Sequence, residues 1–271
     1  MIELRQRTME QCFVKQTKRQ QEIIDLIQKN GYVSTDSLVE RFNVSPQTVR
    51  RDLNELADEN KIRRNHGGAT TPLSSVNTAY DTRKVMQLQE KDCIAEALVK
   101  YIPNGATLFI DIGTTPESIA KELVKSHKDL SVVTNNINVA TILMVNEDFK
   151  VILAGGEVRN RDGGIVGEAT QDFIKQFRLD FGIIGISGID DDGSLLEFDY
   201  HEVRVKKAII ESSRSVYLAV DHTKFGRSAM VNLGNITEMD MLITDEQPPE
   251  GIVSLLKEHD IPLEVILSPS I

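Results

Sequence analysis

The stretch Ser45-Pro46-Gln47-Thr48-Val49-Arg50-Arg51-Asp52-Leu53 constrains this chain more than any other. Ser45 carries an oxygen suited to an N-cap, and Pro46 suits the first helical position, where a missing N–H costs nothing. Val49, Leu53 and Leu56 fall at i, i+4 and i+7 and form one apolar helical face. The opposite face carries Gln47, Thr48, Arg50, Arg51 and Asn54. Amide, hydroxyl and guanidinium groups meet base edges and phosphates. Taken alone, the same face also suits a solvated surface helix, so its surroundings decide.

Upstream, residues 19–28 place Ile23, Ile24 and Ile27 among charged residues at helical spacing and close on Lys29-Asn30-Gly31, a helix stop. Val33-Ser34-Thr35-Asp36 opens a second helix over residues 37–42, with Leu38, Val39 and Phe42 apolar. Asn43-Val44 is a short turn before Ser45. Helix, helix, tight turn, helix is the helix-turn-helix order. Residues 61–69 then read as two short extended arms around Gly67-Gly68, with Arg63, Arg64 and His66 near the tip. After a helix-turn-helix such arms suggest a wing that lies along phosphates or probes the minor groove. The candidate DNA contacts are Ser45, Gln47, Thr48, Arg50, Arg51, Arg63, Arg64 and His66.

The chain is long enough, at 271 residues, for two domains. Residues 1–70 hold 12 Lys and Arg against 10 Asp and Glu, which leaves −12 for the remaining 201 residues of a chain whose net charge is −10. That imbalance argues against a general nucleic-acid coat and fits a small reader module joined to an acidic domain with another task. Cys12 and Cys93 stand far apart in no metal-ligand spacing, as in a reducing compartment. No apolar run approaches the ~20 residues that span a bilayer. These features place the expected protein in the cytoplasm. The expected division is a leader at residues 1–14, the reader module at 15–70, a Pro- and Ser-containing linker at 71–80, and an α/β domain at 81–271.

In that last part, a long helix is expected over residues 89–101 with Ile94, Ala97, Leu98 and Tyr101 on one side. Short apolar strands follow near residues 107–110, 131–134, 151–153, 181–185, 216–220, 241–243 and 264–267, several separated by helical segments. Such alternation indicates an open, mostly parallel α/β sheet. Ligands of such sheets bind at the carboxyl ends of strands. There Asp111-Ile112-Gly113-Thr114-Thr115-Pro116 opens a helix, and a glycine, two hydroxyls and a helix start suit an anion. Neither nucleotide-loop nor dinucleotide glycine patterns occur. Asn135, Gly156, Arg159 and Lys224 follow other strands on the same edge. The candidate effector set is therefore Asp111, Gly113, Thr114, Thr115, Asn135, Gly156, Arg159 and Lys224, and the expected ligand is a small phosphorylated polyol or sugar. His201 and His222 lack a nucleophile partner or metal-binding spacing, so neither a catalytic residue nor a metal or cofactor is expected.

The segments VSPQTVRRDLNELA (44–57), HGGA (66–69), SSVNT (74–78), LFIDIGTTPE (108–117), DGGIVGEAT (162–170) and GSLLEFDYHEVR (193–204) resemble the deoxyribose-operon-repressor (DeoR) family of transcription regulators. The resemblance covers about residues 15–267. It implies a homodimer or homotetramer that binds operator DNA and lets go when a phosphorylated metabolite binds. For the branch it looks most like, which governs glycerol metabolism, that metabolite is glycerol 3-phosphate. It also implies an effector domain similar in fold to ribose-5-phosphate isomerase, and hence a rival reading as a sugar-phosphate isomerase fused to a reader. Against the rival, Gly185-Ile186-Ser187-Gly188 stands where that enzyme's acidic loop would fall, its glutamate falls near Lys206, and its lysine near Glu197. Isomerisation needs a placed general base, so binding without turnover is expected.

Overall fold

The computed structural model describes residues 16–27, 32–59, 61–65, 67–70 and 80–266. The expected leader at 1–14, the helix stop at 29–31, His66 and residues 71–79 of the linker lie outside them. The chain divides into two compact units, Met1–Thr82 and Arg83–Ile271.

In the first unit, residues 16–27 form α1. Strand β1 (Tyr32–Ser34), helices α2 (Thr35–Phe42) and α3 (Pro46–Asp58), and strands β2 (Arg63–Asn65) and β3 (Gly68–Thr70) follow. The apolar stripes meet as expected: Ile23, Ile27, Leu38, Val49, Leu53 and Leu56 are buried against one another. Ser34 and Ser45 cap α2 and α3, accepting the backbone N–H groups of Ser37 and Thr48 at 3.0 and 3.2 Å. Asn43, at φ 49°, ends α2 in the left-handed conformation that Asn tolerates. Arg19 Nε donates to buried Asp52 at 2.5 Å and ties α1 to α3, a pairing across 33 residues that no local pattern announces. Val33 and Ser34, read as the opening of the second helix, also end β1, with Ser34 serving as the N-cap of α2. That strand pairs antiparallel with β3 and completes a three-stranded sheet in the order β1-β3-β2. A Cβ at Gly68 would lie 2.2 Å from the Val33 carbonyl oxygen, so glycine there lets the wing close onto β1.

The second unit begins in α4 (Tyr80–Val85), a short helix that was not expected, followed by α5 (Leu88–Leu98). The long helix predicted over 89–101 changes to a 3-10 turn at Val99–Tyr101. That turn takes Tyr101 off the buried side shared by Ile94, Ala97 and Leu98 and leaves it partly exposed, its hydroxyl on Glu264. Beyond it run β4 (Thr107–Ile110), α6 (Thr114–Ser126), β5 (Ser131–Thr134), α7 (Ile137–Leu143), β6 (Lys150–Leu153), β7 (Glu157–Val158), β8 (Ile165–Val166), α8 (Glu168–Ile174), β9 (Leu179–Ile184), β10 (Gly188–Ile189), β11 (Ser194–Glu197), α9 (Tyr200–Ser212), β12 (Ser213–Ala219), β13 (Val231–Asn235), β14 (Met241–Thr244), α10 (Glu250–Glu258) and β15 (Leu263–Val265).

All seven predicted strands enter one sheet, in the order β15-β14-β12-β9-β4-β5-β6, and every neighbouring pair is parallel. The small antiparallel additions β7-β8 and β10-β11-β13 were not anticipated; their pairings join residues far apart in sequence or strands too short for periodicity. Apolar clusters fill both faces of the sheet, as doubly covered parallel sheets require. From β4 the chain winds outward to β5 and β6, then returns to lay β9 on the other side of β4. The crevice outside the carboxyl ends of β4 and β9 is the topological switch point, where such sheets bind ligands.

Leu53→Ala removes a fully buried side chain at the meeting of α1, α2 and α3 and should cost about 2–5 kcal/mol. A urea melt followed by helical circular dichroism checks this: a transition within 0.5 kcal/mol of wild type would mean that the three helices do not share this core.

Candidate functional site

The first candidate surface is built on α3 and the wing. Gln47, Arg50, Arg51 and Asn54 are exposed on the face opposite the core. Arg51 reaches Glu55 one turn on, at 3.9 Å, a solvent-screened pair that leaves the guanidinium available. Ser45 and Thr48 are partly engaged with each other, their hydroxyls 2.8 Å apart, so Ser45 serves the helix start and Thr48 is held in one rotamer. Arg63 and Arg64 lie on β2. Burial, and then the charge of Arg50, hold the Arg64 guanidinium below its usual range, and its Nη1 is buried without a hydrogen-bond partner among the described residues. Two guanidiniums close enough to repel, one on the helix and one on the wing, make a single cationic face.

The second candidate site is the switch-point crevice. Its walls come from the β4–α6 turn (Ile112 to Pro116), the β9 loop (Gly185, Ile186, Ser187), Glu197 of β11, Glu202 and Lys206 of α9, and Lys224, Arg227 and Arg83. Gly113, at φ 149°, precedes α6 and caps it with no side chain, so the N–H groups of the first turn face the crevice without a competing acceptor. Lys224 is mostly buried, and its nearest anion, Asp221, is 3.6 Å away. Burial first, then Arg227, Lys91 and Arg83, pull its ammonium down to about 8 against Asp221. Burial pushes Asp221 up, but Lys224, Lys91 and the Thr223 hydroxyl hold it at about 2. One end of the crevice is thus a desolvated cluster of cations beside a helix start.

The other end is a buried ionic network. Lys206 Nζ contacts Asp111, and lies 3.4 Å from both Glu197 and Glu202. Burial disfavours its charge, yet the three carboxylates outweigh burial and keep it firmly protonated. Burial and the neighbouring Glu202 push Glu197 up to about 7 against Lys206 and Ser187, whose hydroxyl bonds it. Glu202 is buried too, but Lys206 and Arg159 hold it at about 2.

The structure therefore brings Gly113, Thr114, Thr115 and Lys224 together in the crevice lining and engages the other four expected effector residues elsewhere or in internal contacts. Asp111 is spent on Lys206 beneath the crevice. Arg159 gives its guanidinium to Asp162 (2.7 and 3.1 Å), Asp199 (3.1 Å) and Glu202 (2.6 Å), leaving little for a phosphate. Asn135 is buried, pairing with Ile165. Gly156 packs so closely on α8 that a Cβ would meet Thr170 Oγ1 at 2.1 Å. Asn135 follows β5 and Gly156 follows β6, on the far side of β4 from the switch point, whereas Arg159, after β7, reaches Glu202 of the crevice wall. Arg83, Ser187, Glu197 and Arg227 were not anticipated. Of these only Ser187 stood in a loop already under scrutiny. His222 Nδ1 lies 2.6 Å from Asp245 and 3.6 Å from Glu246, a trio of metal-ligating types whose shortest separation is that of a hydrogen bond.

Residues 19–75 match the DeoR-like helix-turn-helix domain, and residues 86–246 match the DeoR C-terminal sensor domain. The chain belongs to the DeoR family. This DeoR-family chain is 63% identical to the glycerol-3-phosphate regulon repressor of Escherichia coli K12, over 93% of its own length and all of the relative's. It is 56% identical to the repressor of the same name from Haemophilus influenzae, over 91% of its length and 95% of the relative's. Among solved structures, ribose-5-phosphate isomerase A of Neisseria gonorrhoeae aligns with a TM-score of 0.37 and 16% identity, over 51% of this chain and 53% of that one. This DeoR-family protein is a DNA-binding transcriptional repressor with a sensor domain for a small effector. The isomerase alternative is not favoured, since the relatives are repressors. No helix among the described residues is long and apolar enough to cross a membrane.

Lys206→Ala would leave three carboxylates without their shared cation, at a cost of about 3–5 kcal/mol. Without the ammonium the carboxylates rise above their unfolded values, so the folded variant binds extra protons and loses stability as pH climbs. Denaturant melts should show a smaller deficit at pH 5 than at pH 8; an equal deficit would mean the side chain acts by packing alone.

Proposed function

We propose that this repressor governs genes of glycerol and glycerol-3-phosphate metabolism and leaves its operators when glycerol 3-phosphate binds the switch-point crevice. The observation that carries the effector assignment is the pairing of two chemistries in one crevice. A helix start with Lys224, Arg227 and Arg83 suits a phosphate, and Ser187 with Glu197 in the same crevice suits hydroxyls. The names of the relatives support the same ligand. The reader unit meets operator DNA through Gln47, Arg50 and Arg51 of α3, with Arg64 of the wing on the backbone. The chain acts in the cytoplasm as a homodimer or homotetramer, since paired reader helices match paired half-sites. It needs no metal or cofactor for this task.

The deciding experiment titrates the protein–operator complex with glycerol 3-phosphate; persistence of the complex at saturating ligand would reject the assignment. Arg50→Ala and Arg51→Ala should weaken specific operator binding, each by roughly 1–3 kcal/mol if the lost contact is a bidentate base contact. Binding at wild-type affinity in both would displace the recognition surface from α3. Thr114→Asp places a carboxylate at the α6 start, where the helix tolerates it and a phosphate would have to compete with it. The variant should melt near wild type, bind operator, and resist release at ligand concentrations that free the parent.

Protonation gives an independent check. Lys224 ionises at about 8 in the unliganded protein, and a bound anion favours its charged form. Binding therefore takes up a proton near pH 8, and affinity should fall as pH rises through that value, by at most roughly tenfold per pH unit. Lys224→Met should flatten the profile between pH 7.5 and 9.5; an unchanged slope would assign the proton elsewhere.

A further inference from the structure

Residues 130–146 contain no Asp, Glu, Lys, Arg or His, in a chain that is 27% charged. They span β5, α7 and the three residues after it. Burial accounts for β5, which has water on neither face. It does not account for α7. Ile137, Thr141 and Met144 fall at i, i+4 and i+7 and are exposed. Met144 and Val145, at the end of the helix, are 68% and 69% exposed. The Thr141 hydroxyl is spent on the Ile137 carbonyl at 2.8 Å. The outer side of a surface helix is ordinarily charged or polar, and an apolar one marks a contact.

Helix α7 packs on β5 and β6, and β6 is the last strand of the sheet. Lys150 and Ala154 donate their N–H groups inward, to the carbonyls of Leu130 and Thr134, each at 2.8 Å. Strand alternation then turns the N–H groups of Val151 and Leu153 outward, where no described residue pairs with them. The side chains of Val151 and Leu153 share a face, and Val151 packs into the cluster on the α7 side. Leu153, 43% exposed, therefore extends the apolar surface of α7 to the sheet edge. The other edge is closed differently. There β15 follows Pro262 and carries Glu264, which takes the Tyr101 hydroxyl at 3.0 Å. Proline and charge are means of blunting an edge. On β6 the one charge, Lys150, stands at the first position, on the face opposite Leu153.

We infer that the β6 edge, with α7 beside it, is an interface between two copies of this chain, in which β6 pairs antiparallel with β6 of the second copy. A two-fold axis perpendicular to the sheet beside Ile152 sets Val151 of each copy opposite Leu153 of the other and uses their outward backbone groups. The same rotation keeps both α7 helices on one face and lays them antiparallel. Strands lie ~4.8 Å apart and packed helices ~8–10 Å apart, so a helix resting on β5 and β6 reaches its copy across about two strand spacings. Met144, at the end of one α7, then meets Ile137 at the start of the other, and the reverse contact follows by symmetry. A second copy is the occupant because it brings a matching strand and an uncharged helix on the matching face in one operation. A strand alone would leave Met144 and Val145 in water. This rests on the chain being a homo-oligomer, and it names the surface that makes it one.

The test is the mass of the full chain by sedimentation equilibrium, with circular dichroism melts to confirm folding. Leu153→Pro removes an outward N–H that no internal bond uses, as edge strands tolerate. Met144→Lys sets a cation at a helix C-terminus, where the dipole favours it. Each should halve the mass at concentrations where the parent is fully assembled, the dissociation constant rising at least tenfold. Met144→Lys decides alone if the proline variant does not fold. Combining Ile137→Glu with Met144→Lys should restore assembly, since the carboxylate of each copy then faces the ammonium of the other. Met230→Glu, which charges an 84% exposed apolar residue after β12, on the other side of β4 from β6, should assemble like the parent. An assembled parent whose Leu153→Pro and Met144→Lys variants keep its full mass would remove the interface from β6 and leave the homo-oligomer standing. A parent that is monomeric at every concentration would overturn both.

Discussion

A single buried ammonium organises the sensor unit. Lys206 is 1% exposed and gathers carboxylates from the end of β4, from β11 and from its own helix α9. A charge taken so far out of water is tolerable only when surrounded by opposite charge and hydrogen bonds. Each of those elements is consequently held at a fixed distance from the others. Asp111 anchors the turn that opens into α6, Glu197 accepts the Ser187 hydroxyl, and Glu202 passes the tie outward to Arg159, Asp162 and Asp199. The crevice keeps its shape because its floor ties three elements to one buried ammonium, which is outnumbered by its carboxylates.

This arrangement explains which parts of the fold and site were legible beforehand. Helix α3 was readable because capping residue, first-turn proline and apolar spacing are all local, and the seven sheet strands because buried parallel strands are short apolar runs. Strand β1 was hidden because Val33 and Ser34 look like a helix entry, and only pairing with Gly68 and Ala69 makes them a strand. The all-parallel order and its reversal between β4 and β9 depend on where the chain returns, which periodicity does not encode. Without the reversal, every polar loop at the carboxyl edge looked equally eligible, and Asn135, Gly156 and Arg159 were drawn in beside Gly113 and Thr114.

Charge bookkeeping across long separations accounts for the rest. Asp111 and Arg159 have the chemistry of ligand contacts, yet partners as far as 95 residues away neutralise them. Lys206 and Glu202 stand in a stretch of alternating charge, Glu202 to Lys207, of a kind that usually faces water on a helix; one side of that helix instead faces the crevice. Arg83 sat at the edge of an apparent linker and had no motif around it. Whether a charged side chain is available to a ligand is set by which opposite charges the fold delivers to it, and that is a tertiary property.

The two units answer to related chemistry. In the reader, Arg64 is partly desolvated beside Arg50; in the sensor, Lys224 is desolvated beside Arg227, Lys91 and Arg83. Like charges oppose one another in each cluster, and in either an added oxyanion would offset that repulsion. Relief alone does not make a switch. A ligand shifts a conformational equilibrium only by its difference in affinity for the two states. A cation already paired internally, as Arg159 is, gains little from a phosphate and transmits little. A cation held loosely by a carboxylate that has other partners gains more, and it must leave its first contact to do so. In the sensor, the Lys206 ammonium is surrounded by three carboxylates, whereas Lys224 has its nearest, Asp221, at 3.6 Å, and that difference decides which of the two an added anion could stabilise.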